Sequence, residues 1–127
     1  MHKRQGWIGV DLDATLAKYI SWGDGSIGEP VPKMLARVKR WLAEGYEVRI
    51  LTARVGRPDP DRVSDTPEKV EEMREEIEDW TEKHVGQRLR VTNEKDYDML
   101  ELWDDRAVQV EQNTGEILGR STRGLGD

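Results

Sequence analysis

The sequence contains no cysteine, no phenylalanine, and only two histidines, His2 and His84. Without cysteine there is no disulfide, no thiol nucleophile and no Cys-ligated zinc, which fits a cytoplasmic protein. His2 stands near the amino terminus, and His84 falls in the expected last turn of a helix, where a cation complements the dipole. Histidine-based catalysis and histidine-rich metal sites are therefore disfavoured. No apolar stretch approaches the ~20 residues that span a bilayer, and no signal-peptide apolar region opens the chain. A soluble protein with no membrane partner is expected.

What is abundant is charge. Of 127 residues, 36% are charged and 35% hydrophobic, so a single domain with a small core is expected over 1–127. Five tryptophans supply large packing anchors. A net charge of −6 argues against extended nucleic-acid binding. It leaves room for a small phosphorylated substrate, since one lysine and a metal reverse the field locally.

The chain is organised around residues 7–16, WIGVDLDATL. An apolar run leads into Asp11 and Asp13, as in a buried strand whose carboxyl end opens on the crevice where parallel sheets hold ligands. Two acids that close repel each other unless a cation or shared proton intervenes. The plainer reading is a strand followed by an Asx-rich turn.

Residues 17–30 carry the turn signal Gly23-Asp24-Gly25-Ser26, which predicts a short flap. Its aromatics, Tyr19 and Trp22, either stack on a substrate or close the flap onto the body. Pro32 to Glu44 reads as a helix with an apolar stripe of Met34, Leu35, Val38, Trp41 and Leu42, stopped by Gly45. Tyr46 to Thr52 is a second strand, ending in Thr52-Ala53-Arg54. In the loop that follows, Arg54, Arg57 and Arg62 either touch an anionic substrate or pair with Asp59, Asp61 and Asp65. Thr66 as N-cap, Pro67 at the first position and Gly86 as stop bound a long helix with Val70, Met73, Ile77 and Trp80 on one stripe. Its many acids read as a solvated face. Arg88 to Thr92 and Met99 to Trp103 are further strands, the latter running into Asp104-Asp105. Ala107 to Val110 is a fifth, turning back at Asn113-Thr114-Gly115. Residues 1–5 and 119–127 are expected to be mobile ends.

Strands alternating with helices imply an α/β architecture, a Rossmann-like parallel sheet flanked by helices. Every carboxyl end then lies on one edge, which gathers Asp11, Asp13, Thr52, Asp104 and Asp105 around one crevice, with Lys95 in reach. These segments (DLDAT, ILT, a lysine, LELWDD) resemble the four motifs of the haloacid dehalogenase-like phosphohydrolases, over Trp7 to about Val110. The resemblance implies an Mg²⁺-dependent phosphomonoester hydrolase. In it Asp11 would be the nucleophile, forming an aspartyl-phosphate, and Asp13 the general acid and base. Thr52 would hold phosphoryl oxygens, Lys95 would offset charge, and Asp104 with Asp105 would bind Mg²⁺ beside Asp11 and the carbonyl of Asp13. Thr15, Ala53 and Arg54 are candidate substrate contacts. Two departures stand out. Ala14 occupies a position often held by glycine, where alanine would be strained if φ is positive. The insertions of a cap domain are also missing, so the resemblance is to the small capless type, with a site that is open or covered by another copy in a homo-oligomer.

An open site also admits a nucleotide or a nucleic-acid 3′ end. A reading from another class is a phospho-accepting signalling module without turnover. Receiver domains, however, keep the acid pair on the first strand and the accepting aspartate on a middle one, the reverse of the order here. Dehalogenase chemistry has no use for a metal-binding acid pair. The side chain of Arg106 either meets substrate or pairs locally.

Overall fold

Strand pleating puts Ile8 and Val10 of β1 (Trp7–Val10) on one side of the chain and Trp7 and Gly9 on the other. All four are buried, as a strand must be when both faces of its sheet are covered. The computed structural model describes residues 5–19, 25–57, 61 and 66–119. The expectations for Trp22, Asp59, Arg62, Asp65 and most of the two chain ends fall outside these residues. β1 lies between β2 (Glu47–Leu51) and β4 (Met99–Trp103), and β3 (Arg90–Thr92) adds beside β2. The sheet has the order β3-β2-β1-β4, and every pairing in it is parallel. The fold class is α/β.

Helix α1 (Pro32–Ala43) starts on its proline, and Gly45 beyond its end takes φ 93°. Helix α2 (Pro67–Val85) is capped by Thr66, whose side chain accepts the Lys69 N–H at 3.2 Å, and closed by Gly86 at φ 97°. Met34, Val38 and Trp41 of α1 and Ile77, Trp80 and Val85 of α2 meet Ile8, Val10, Val48, Ile50 and Val91 of the sheet in one core. Both helices therefore cover the same face.

The opposite face has no helix among the described residues. It is crossed by the connection from β3 to β4, residues 93–98, which is only six residues long. Parallel strands joined across two others usually need a dozen or more residues. Trp7 fastens this link. Its indole Nε1 donates to Asp96 Oδ1 at 2.8 Å, and its amide donates to the Asp98 carbonyl at 2.9 Å. Arg49 stacks over the Trp7 ring at 4.4 Å and donates to Asp96 Oδ2 at 3.5 Å. Gly9 leaves the room that the Trp7 ring and Met99 sulfur occupy, each 3.2 Å from where its Cβ would stand.

The flap is closed at its base. The Lys18 amide donates to the Glu29 carbonyl at 2.8 Å, and Trp80 Nε1 donates to the Gly28 carbonyl at 3.1 Å. Only glycine fits at 28, because a Cβ there would lie 2.0 Å from the Lys18 carbonyl oxygen. Strands β5 (Gln109–Val110) and β6 (Ile117–Leu118) pair antiparallel around Asn113 at φ 67° and Gly115 at φ 81°, the hairpin that the sequence predicts. They form a separate two-stranded sheet. No described helix is long and apolar enough to cross a membrane.

Candidate active site

The turn after β1 is set by its apolar residues. Leu12, Leu16 and Ala17 are fully buried, and the amides of Leu16 and Ala17 donate to the Leu12 carbonyl at 3.0 and 2.8 Å. Anchoring them turns Asp11 and Asp13 into a cleft at the carboxyl edge of the sheet. The tightness has a cost at Ala14, which sits at φ 68° in the left-handed region. Ala14→Gly is therefore expected to stabilise the fold by roughly 0.5–1 kcal/mol, the relief of left-handed strain less the entropy of glycine. A urea unfolding midpoint that stays put or falls would overturn that reading of the turn.

On one side of the cleft, Asp11, Asp104 and Asp105 each offer a carboxylate oxygen within 4.8 Å of the others. The Asp11 amide donates to the Trp103 carbonyl at 2.9 Å, which ties the ends of β1 and β4 together. The Thr15 hydroxyl lies 3.4 Å from Asp11 Oδ2 and 3.3 Å from Asp105 Oδ1, and it accepts the Asp105 N–H at 3.1 Å. A hydroxyl has one proton, so it serves one carboxylate at a time. The Asp11 carboxyl is pushed up to about 7, first by burial and then by the charge of Asp104 and the hydrogen bond and charge of Asp105. Three crowded carboxylates with oxygen-only donors match the preference of a hard divalent cation, and their mutual repulsion is what such an ion relieves.

On the other side, Thr52 ends β2 and is 5% exposed, so its hydroxyl is fixed by its surroundings. Its oxygen accepts the Arg54 N–H at 3.2 Å and caps the turn Ala53–Val55, leaving the hydroxyl its own proton to donate. Asp13 faces it, gripped by the Arg54 guanidinium at 2.7 and 2.8 Å.

Asp11, Asp13, Thr52, Ala53, Arg54, Asp104 and Asp105 thus all line one open cleft of about 760 Å³. Two expected members do not. Thr15 is buried outside the cleft lining, where its hydroxyl lies between Asp11 and Asp105. Lys95 is exposed on the link that leaves the edge to cross the sheet, outside the cleft lining. Asn93 lines the cleft instead, together with Tyr19 and Arg106. The only sequence signal for Asn93 was its position directly after a strand's carboxyl end. Compared with known protein families, curated proteins and solved structures, the chain gives no match.

Proposed function

We propose that this protein is a divalent-cation-dependent phosphomonoester hydrolase of the haloacid dehalogenase-like type that its motifs resemble. The observation that carries the reading is the convergence of Asp11, Asp104 and Asp105 within 4.8 Å at the edge where Asp13 and Thr52 also stand. Asp11, Asp104 and Asp105 would hold Mg²⁺, which when bound offsets the charge of the carboxylates and of the phosphoryl oxygens.

A carboxylate oxygen of Asp11 attacks phosphorus as the bond to the ester oxygen breaks. Asp13, which must enter this step protonated, gives its proton to that leaving oxygen and becomes the carboxylate that Arg54 holds. Water then attacks the aspartyl-phosphate, Asp13 takes its proton, and the bond between phosphorus and Asp11 breaks to release inorganic phosphate. The Thr52 hydroxyl donates to a phosphoryl oxygen throughout, so the transferring group stays in line.

Exposed Tyr19 at the mouth of an uncapped cleft favours, as a second reading, a nucleotide or nucleic-acid 3′ end whose base stacks on the ring. A panel of aryl phosphates, sugar phosphates, nucleotides and 3′-phosphorylated oligonucleotides, run with Mg²⁺ and again with EDTA, tests both. The expected result is many turnovers per protein, lost by about 10²-fold or more in EDTA and restored by excess Mg²⁺. One phosphate per protein would instead indicate a phospho-accepting signalling module. EDTA-insensitive turnover would remove the cation from the reading.

A further inference from the structure

We propose that Arg54 is a positioning residue for Asp13 and not a cation that binds the substrate. The proposal rests on the hydrolase reading, in which Asp13 is the acid–base group. A guanidinium has five N–H donors in a fixed fork and no acceptor. Here Nε donates to Asp13 Oδ2 at 2.7 Å and Nη2 to Asp13 Oδ1 at 2.8 Å, a bidentate pair. Nη2 also donates to the Ser26 carbonyl at 3.2 Å, and Nη1 donates to the Gly25 carbonyl at 2.6 Å and to the Met73 sulfur at 3.6 Å. These contacts employ all five N–H groups, so none is left over for an incoming anion.

The same residue is held at its other end. Its backbone N–H donates to the Thr52 hydroxyl oxygen at 3.2 Å, so one residue connects two of the groups assigned to the chemistry, Asp13 and Thr52. The pair is also shielded, with side-chain exposures of 19% for Arg54 and 29% for Asp13. Shielding strengthens a charge-assisted hydrogen bond relative to one in open water. Asp13 precedes Ala14 in a strained turn, and the two-point grip of Arg54 holds its carboxylate in place there. A misplacement of about 1 Å at a reacting group costs on the order of 10²-fold in rate. Lysine carries a single ammonium and cannot reproduce the two-point grip.

The test compares the wild type, Arg54→Lys and Arg54→Met on an aryl phosphate with an acidic phenol and on an alkyl phosphate, with Mg²⁺ present. Inorganic phosphate is the probe for anion binding, read as its inhibition constant. A positioning role predicts that kcat falls by about 10²-fold in Arg54→Met while KM and phosphate inhibition move by less than about 3-fold. The loss should be larger for the alkyl phosphate, whose leaving oxygen needs the proton more. Arg54→Lys should rescue little. On an Asp13→Asn background, Arg54→Met should have no further effect on kcat, because a residue acting through Asp13 has nothing left to position. A rise in KM or in the phosphate inhibition constant of about tenfold or more with kcat little changed would overturn the proposal and make Arg54 a substrate cation. If Arg54→Met does not fold, the same split in Arg54→Lys decides. A wild type that turns over no phosphate ester refutes the hydrolase reading itself, a result distinct from either.

Discussion

Asp11→Asn is expected to lower phosphatase turnover by roughly 10⁴-fold or more, as loss of a covalent nucleophile does. In the absence of divalent cation the same substitution is expected to make the fold more stable at pH 8. The two effects share a cause. Burial, and then Asp104 and Asp105, hold the Asp11 carboxyl at about 7, whereas the unfolded chain releases that proton near its ordinary value of 3.8. Between those values the folded protein binds more protons than the unfolded one, so the group's contribution to stability falls as pH rises from about 4 to about 7. It is fully present below that window and lost above it. Asparagine does not titrate, so the variant escapes the loss. Calorimetry in EDTA at pH 5 and pH 8 measures it, and a variant whose melting temperature tracks the wild type at both values would end the account of a crowded triad. Adding Mg²⁺ at pH 8 should raise the wild-type melting temperature by mass action and the variant's much less. Loss of turnover without either thermal effect would leave Asp11 its role in the chemistry but remove it from the crowded cation site, whereas a melting temperature lowered at both pH values would point to a damaged fold.

The largest effect on stability is expected on the helix-free face. Trp7→Ala should cost about 3–5 kcal/mol, the range for truncating a buried aromatic, and that is a large part of the total for a small domain. Trp7 is fully buried although it lies outside the core under the helices, because the 93–98 link covers it and Arg49 lies on its ring. Trp7→Phe keeps most of the apolar surface and removes the indole donor to Asp96, so it should fall between wild type and Trp7→Ala. Asp96 itself is held below the ordinary carboxylate range, first by the Trp7 indole and then by the Asp98 amide, with Arg49 adding charge. Its contribution is present above the unfolded value and lost as pH falls through the folded one, opposite in sign to that of Asp11. Urea unfolding at pH 7 reads the series. A cost below about 1 kcal/mol for Trp7→Ala would mean that the link does not close a second core.

Much of this was legible before the structure. Proline at 32 and 67 and glycine at 45 and 86 fixed the helix ends within a residue, because each residue has a backbone reason to stand there. Asp11, Thr52 and Asp104 were expected on one edge because parallel strands leave no other arrangement of their carboxyl ends. The strand order and the route of the 93–98 link were not legible, since local periodicity says nothing about which face a short connection crosses. For that reason Lys95 was expected in the crevice and lies outside its lining. The grip of Arg54 on Asp13 spans 41 positions, and a charge pattern read along the chain gave substrate and solvent partners equal claim.

The 93–98 link has a mechanical consequence. From Thr92, level with Leu51, to Met99, level with Trp7, the chain must travel about 20 Å across and down the sheet, against a reach of roughly 24 Å. It works as a short tether with little slack, so a tilt of β4 is handed on to Asn93 at the lip of the cleft instead of being absorbed on the way. A lineage of such chains is free to lengthen the tether, even into a third layer, but has no room to trim it.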